Sequence, residues 1–270
     1  MYPILFRIGD FTVTSYGVML VLAFVAAGLV VANDFKRRGW DPGLAQDVVL
    51  ASMIGGIVGS KLFWAFSNWG QLTADPMGTL FSRGGFTYYG GLIGGIFAVI
   101  ALLKVRRVPV GEAANSCALA IPVGYMLGRV GCFLVGDDYG RPTDMPWGIA
   151  FPEGSPPTSV PVHPTQLYEI LLTLPIFLVL WFQRKRQLPD WFLMWEFFLL
   201  AGLERFLIEF YRINPPVALG LTAAQWVSLG LILGGLVGMV WVYATPRARR
   251  ATAGSAKAPR PKPAKPPKPA

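Results

Sequence analysis

The chain has 270 residues, 53% hydrophobic and only 14% charged, against roughly 25% charged residues in an average soluble domain. Apolar stretches about 20 residues long recur along it, the length a helix needs to cross a bilayer, so an ordinary soluble domain is excluded and disorder is confined to the ends. The formal charge of +9 does not signal nucleic acid either: Pro246–Ala270 holds eight Lys or Arg and no acid, which leaves sixteen bases against fifteen acids in residues 1–245.

Seven segments read as spans: Tyr16–Val31, Gln46–Phe66, Tyr88–Leu103, Gly111–Leu134, Gln166–Phe182, Trp191–Phe210 and Thr222–Tyr243. The fold class expected is an all-α polytopic membrane protein. Residues 1–245 form the seven-span domain, and residues 246–270, rich in Ala, Pro and Lys, form a disordered basic tail. Basic clusters follow the first span (Lys36, Arg37, Arg38), the third (Lys104, Arg106, Arg107), the fifth (Arg184, Lys185, Arg186) and the seventh. An odd number of spans puts all four clusters on one side, which the positive-inside rule makes the cytoplasm. The N-terminus is then outside, and no cleavable signal peptide is expected because the first apolar run continues as a span.

Two longer loops fall outside, 67–87 and 136–165. The second carries Trp147-Gly148-Ile149-Ala150-Phe151, whose aromatic and apolar content predicts a small ordered extracytoplasmic cap. Cys117 and Cys132 share one span and lie about 22 Å apart along a helix, too far for a disulfide. One His and two Cys make no ordinary zinc site, and neither a metal cluster nor a cofactor is expected.

Ionisable groups within spans are costly and mark candidate functional positions. With this orientation, Tyr16, Lys61, Tyr88, Tyr89, Arg129, Gln166, Tyr168, Glu169, Glu204, Arg205 and Glu209 all fall toward the outer leaflet, on six different spans. Asp47, Glu112 and Glu196 are the ionisable groups read on the inner side. A polar cluster in one leaflet fits a lipid-facing site better than a through-pore, and no repeat of the kind transporters show is present.

Arg129 has no acid within a turn of its own helix and is flanked by Gly128 and Gly131. A guanidinium so placed suits a phosphate, which its fork of donors grips. Arg205 and Glu209, and Glu209 and Arg212, have the spacing of helix-face ion pairs. Lys61 is either a functional member of this polar cluster or a lysine that snorkels to the interface. The glycines of Gly55-Gly56-Ile57-Val58-Gly59 and Gly90-Gly91-Leu92-Ile93-Gly94-Gly95 are expected to pack helices closely, since neither run has the lysine of a phosphate loop. His163 precedes a helix start at Pro164 or Thr165; it can order the loop or, with an unperturbed pKa of about 6.5, serve as a base.

Several motifs occur in order: Ser15-Tyr16-Gly17, Gly59-Ser60-Lys61, Gly90-Gly91-Leu92-Ile93-Gly94, Gly128-Arg129-Val130-Gly131-Cys132-Phe133 with Gly140-Arg141, Pro146-Trp147-Gly148, His163-Pro164-Thr165-Gln166-Leu167-Tyr168-Glu169, and Arg205-Phe206-Leu207-Ile208-Glu209-Phe210-Tyr211-Arg212. Over most of the first 245 residues the chain resembles the prolipoprotein diacylglyceryl transferases. The resemblance implies transfer of the diacylglyceryl group of phosphatidylglycerol to the lipobox cysteine of a preprolipoprotein at the outer leaflet of the bacterial cytoplasmic (inner) membrane. A thioether and glycerol 1-phosphate are the products. It also implies that Arg129 holds the headgroup, that Arg205 lies near the leaving phosphate, and that Glu209 orients Arg205 or the substrate. Tyr16 would contact the lipid and Gly140 would permit a tight loop. The chain departs from the family pattern in three places. Tyr89 stands where the family has a His favoured as base, Cys132 where it has Asn, and Asp137 where it has Glu. The proton acceptor is therefore open among Tyr89, His163, Asp137 and Glu209. A thiol beside Arg129 also makes Cys132 a candidate nucleophile that could carry the lipid, although small apolar packing is the simpler role. A diverged relative that binds anionic phospholipid or lipoprotein precursors without turnover is the alternative reading.

Overall fold

The computed structural model describes residues 1–9, 11–82 and 84–245; the basic tail read from the sequence lies outside the described residues. The chain enters through a hairpin that the span reading does not anticipate, β1 (Ile4–Ile8) antiparallel to β2 (Phe11–Thr14). Thr14 then caps helix α1 (Ser15–Arg38), its hydroxyl accepting from the Gly17 amide, and Gly39 ends the helix at φ +79°, a left-handed conformation open to glycine. Helix α2 (Leu44–Ser67) follows. Two short helices, α3 (Trp69–Ala74) and α4 (Pro76–Phe81), occupy the first long loop, the latter started by Pro76 and capped by Asp75.

Helices α5 (Tyr88–Val105) and α6 (Val110–Val135) come next. The second long loop holds the expected ordered element, an antiparallel pair β3 (Ile149–Phe151) and β4 (Thr158–Val162), with Tyr139 stacked on buried Phe151. Helix α7 (Thr165–Gln183) begins at the expected place, and α8 spans Phe192–Ile208. The chain then tightens to a 3-10 turn over Glu209–Tyr211. A last small pair, β5 (Pro216–Ala218) and β6 (Leu221–Thr222), leads into α9 (Ala223–Ala244), started by a reciprocal cap between Thr222 and Gln225. Among the described residues the fold is thus mostly helical, as expected, with three two-stranded ribbons added.

Among the described residues, six helices, α1, α2, α5, α6, α7 and α9, are long and apolar enough to cross a bilayer, which makes this a polytopic membrane protein. Many of their apolar side chains (Val21, Leu29, Ile54, Phe97, Val240) are exposed, as surfaces that face hydrocarbon must be. Helix α8 has 17 residues.

Three helix pairs dominate: α1 against α6, α2 against α5, and α8 against α9, with α7 between α6 and α8. Glycine sets the second pair. A methyl on Gly59 would come within 2.7 Å of the Gly94 Cα, and one on Gly94 within 2.7 Å of the Gly59 Cα, so the two backbones touch directly. Two buried apolar clusters lie toward the basic ends, around Phe35, Leu44, Leu103 and Ala113 on one side of α6 and Leu119, Leu180, Leu193 and Val242 on the other, and a third, of Tyr139, Phe151 and Val162, lies in the second long loop.

Two polar anchors differ from the sequence reading. Lys61 does not snorkel: it is buried, and its Nζ donates to the Ser82 carbonyl (2.9 Å), the Ser82 hydroxyl (2.7 Å) and the Gly84 carbonyl (2.6 Å), tying the α4–α5 loop to α2. All three acceptors lie just beyond α4, so one ammonium pins the start of this loop through two carbonyls and a hydroxyl. At the basic end, Asp34, overlooked among the inner ionisable groups, is fully buried. It accepts from Arg37 Nε (2.7 Å), Arg38 Nε (2.8 Å) and the Ser116 hydroxyl (2.7 Å), which links α1 to α6. Part of the positive cluster after the first span is therefore neutralised within the fold.

Candidate active site

Beyond the glycine-faced ends of α6, the chain turns at Gly136, and the ends of α6, α7 and α8 converge with the 3-10 turn that follows α8. Four elements bring charge to that point. Arg129 comes from the last two turns of α6, Glu169 from the first two turns of α7, Arg205 from the last turn of α8, and Asp138 from the loop after α6.

Glu169 is the centre. Its side chain is fully buried, and its two oxygens face two guanidiniums, Arg129 Nε at 2.7 Å and Arg205 Nη1 at 3.1 Å. Arg205 in turn pairs through Nη2 with Glu209 at 2.6 Å, and the other Glu209 oxygen accepts from Asn214 (2.7 Å) and the Thr222 hydroxyl (2.8 Å). Arg129 also reaches Asp138 Oδ2 at 2.8 Å, lies 3.8 Å from Cys132 Sγ, and stacks over the Tyr125 ring. Buried charges are tolerable only when paired in this way.

Arg212 corrects an expectation. It does not pair with Glu209, because α8 ends at Ile208 and the backbone at Arg212 is extended. Its guanidinium instead crosses to Asp138, holding Oδ1 at 2.5 Å and the Asp138 carbonyl as well. The Arg205–Glu209 pair forms as expected.

Gly140 lets the loop close. A side chain there would strike the Tyr211 carbonyl and come within 2.8 Å of Thr165 and 3.0 Å of His163, and the Arg141 amide donates to the Tyr211 carbonyl at 2.8 Å. Tyr16 sits across from Gly131, where an added methyl would come within 3.1 Å of its ring, so the α1–α6 contact sets Tyr16 beside the same turn as Cys132.

Asp137 and Cys132 are neighbours, and their ligand atoms together with one from Asp138 lie within 4.8 Å of one another. This is a three-residue acidic and thiol group that the sequence reading did not expect. Two arginines already hold Asp138, and their positive charge opposes a cation there, so the group is not assigned to a metal. Burial pushes the Asp137 carboxyl above its ordinary range, and the charge of Asp138 adds to this. Burial acts on Asp138 in the same direction, but Arg212 and Arg129 outweigh it and hold that carboxyl low.

His163 lies to one side. Its Nδ1 is 3.0 Å from the Tyr168 hydroxyl, which accepts from Trp147 Nε1 at 2.6 Å, and its ring also meets Tyr211 edge-on. Tyr89 is not brought into the cluster: it is exposed on α5, its ring packed edge-on against Tyr88, and α5 leans on α2. Of the nine residues singled out from the sequence as site candidates, the structure gathers Arg129, Arg205, Glu209, Asp137, Cys132, Gly140 and Tyr16 around this turn, with His163 adjoining. From the sequence, Glu169 counts among the outer-leaflet polar groups without a role in the site, Arg212 counts only as a helix-face partner of Glu209, and Asp138 is left out. Glu169 ends the His163–Glu169 motif, so the signal was present; the sequence carries no signal that Asp138 faces two arginines.

The family profile for prolipoprotein diacylglyceryl transferase matches residues 3–241. A phosphatidylglycerol–prolipoprotein diacylglyceryl transferase of Geobacter sulfurreducens is 40% identical over 239 residues, covering 86% of this chain and 89% of the relative. Proteins of the same name from Aliivibrio salmonicida and Coxiella burnetii are 35% and 36% identical, each over 89% of this chain and over 87% and 95% of their own lengths. With the profile spanning nearly the whole chain, this protein belongs to the prolipoprotein diacylglyceryl transferase family.

Proposed function

We propose that this protein transfers the diacylglyceryl group of phosphatidylglycerol to the lipobox cysteine thiol of preprolipoproteins. The observation that carries the reading is the pair of guanidiniums, Arg129 and Arg205, held side by side by the buried Glu169 within a membrane protein of this family. Transfer requires a thiolate to attack the terminal glyceryl carbon of the diacylglycerol moiety while its carbon–oxygen bond breaks. The electron pair leaves with the phosphate, as glycerol 1-phosphate. Preorganised cations aimed at that oxygen favour its departure.

In this reading Arg129 grips the headgroup phosphate and Arg205 faces the leaving oxygen. Glu169 and Glu209 hold Arg205 in place, Tyr16 contacts the lipid at the α1–α6 seam, and Gly140 keeps the loop tight. Asp137 is the favoured proton acceptor for the thiol. It adjoins Cys132 at the site, and its raised affinity for a proton suits a general base near neutrality better than an ordinary carboxylate does. Cys132 lines the substrate position, and His163 supports the loop through Tyr168. Tyr89 becomes a proton acceptor only if α5 brings it toward the cluster.

The basic clusters support a cytoplasmic C-terminus, an extracytoplasmic N-terminus and a site facing the outer leaflet of the cytoplasmic membrane. Helix α8, about 25 Å long and continued by the 3-10 turn, serves as the seventh span in this arrangement.

The test is purified protein in phosphatidylglycerol-containing membranes with a lipobox peptide, read by mass spectrometry for the diacylglyceryl thioether. The parent is expected to form it and Arg129→Ala to form none. A folded, lipid-binding parent that makes no thioether would replace this reading with that of a binding protein.

A further inference from the structure

Among the described residues, the ion pairs of the site join three arginines (129, 205 and 212) to three carboxylates (Glu169, Glu209 and Asp138). The carboxylates are not equivalent. Glu169 and Glu209 have fully buried side chains, whereas that of Asp138 is 43% exposed. Asp138 also divides its oxygens, giving Oδ2 to Arg129 at 2.8 Å and Oδ1 to Arg212 at 2.5 Å. One oxygen to each of two guanidiniums is how two oxygens of a phosphate ester would be held.

The backbone beneath it is fixed. Asp138 has φ +60°, an uncommon conformation for a residue other than glycine, and its carbonyl accepts from the Thr165 hydroxyl at 2.8 Å and from Arg212. The side chain can therefore turn away from Arg129 and Arg212 toward solvent while the loop stays anchored.

We propose that Asp138 is an exchangeable counter-anion of the site: it occupies Arg129 and Arg212 when no substrate is bound, yields them to the phosphate ester of the lipid headgroup, and returns as the phosphorylated glycerol leaves. The proposal rests on the reading of Arg129 as the phosphate-binding group. The charges match, since a phosphodiester and a carboxylate each carry one negative charge and the exchange leaves the arginine cluster balanced. No covalent step is involved. Asp138 acts as a positioning and release residue through the two arginines.

Competition of this kind lowers apparent affinity by the fraction of time the arginines are free. A counter-anion in place nine-tenths of the time weakens binding about tenfold. Asp138→Asn and Asp138→Ser should therefore bind phosphatidylglycerol in nanodiscs, and glycerol 1-phosphate from solution, on the order of tenfold more tightly than the parent. Their KM should fall together with kcat, as product release slows. Asp138→Glu, which keeps the charge, should restore the parental KM and kcat.

Binding is measured without acceptor peptide. A parent that forms no thioether would sink the transferase reading, while tighter binding by the neutral variants would still uphold the exchange. Tightening toward glycerol 1-phosphate alone would restrict the role to product release and overturn the part assigned to lipid entry. Unchanged or weaker binding of both ligands by the neutral variants would overturn the proposal. So would failure of both neutral variants to fold, because Asp138 would then be a fixed brace.

Discussion

Replacing Glu169 by Gln removes one negative charge from between two guanidiniums and changes the shape of the side chain very little. At 2.7 and 3.1 Å, and with an effective dielectric of about 20, the two attractions are roughly 6 and 5 kcal/mol before desolvation is counted. Desolvating a fully buried carboxylate offsets much of this, and removing one partner of such a pair costs about 3–5 kcal/mol. The loss is large because Arg129 and Arg205 are left facing one another with no charge between them. If the arginines align the phosphate in the transition state, that energy corresponds to a loss of roughly 10²- to 10⁴-fold in kcat/KM. The assay is the appearance of the peptide thioether, with thermal unfolding of the same preparation alongside. Glu169→Asp keeps the charge but is one methylene shorter, so it should span only one of the two arginines and fall between parent and Gln. A Glu169→Gln protein with parental kcat/KM and an unchanged melting temperature would refute the idea that this carboxylate sets the arginines.

Gly59→Leu should lower the melting temperature markedly, since even a methyl there meets the Gly94 backbone and overpacking costs about 1–3 kcal/mol or more; an unchanged unfolding curve would mean that α2 and α5 can part freely. Lys61→Met should remove the charged hydrogen bonds to Ser82 and Gly84 at a cost of about 1–3 kcal/mol and expose the 82–87 segment to limited proteolysis, and parental resistance would rule out the staple. Asp138 makes a prediction about pH. Its carboxyl is held below the ordinary range, so its pairing stabilises the fold fully above the unfolded value of about 3.9 and is lost as the pH falls through the lower folded value. The stability gap between parent and Asp138→Asn should be flat at neutral pH and close in acid. A gap that widened on acidification would reverse the assigned direction. Burial opposes this direction, and Arg212 after the 3-10 turn together with Arg129 on α6 outweighs it; Asp137 in the same loop also faces the group.

Much of this protein is legible in one dimension because a bilayer reduces folding to a length rule. A segment in hydrocarbon must satisfy its own backbone, so about 20 apolar residues become a helix whatever surrounds them. Six of the seven expected segments coincide with helices long and apolar enough to cross a bilayer, and the remaining one, Trp191–Phe210, coincides with α8; the starts capped by Thr14 and Thr222 agree closely, whereas α1 runs on past Val31 to Arg38. The glycine runs were legible for a related reason, since in lipid it is backbone proximity that joins helices. Arg129, Arg205 and Glu209 stood out because charge in a span demands explanation.

What the sequence could not supply is partnership between helices. Arg129, Glu169 and Arg205 lie on three helices, and only the rotation of each about its axis decides that one carboxylate fits between two guanidiniums. Asp34 escaped notice for the same reason: read along the chain, it is an acid among bases, and only the approach of α6 buries it. Lys61 looked like an interfacial lysine until the end of α4 was laid over it. The reach of Arg212 to Asp138 depends on the helix ending at Ile208 and on a left-handed residue in a separate loop. Hydrophobic length is a local property that the chain writes directly, whereas the pairing of buried charges is settled by which faces meet.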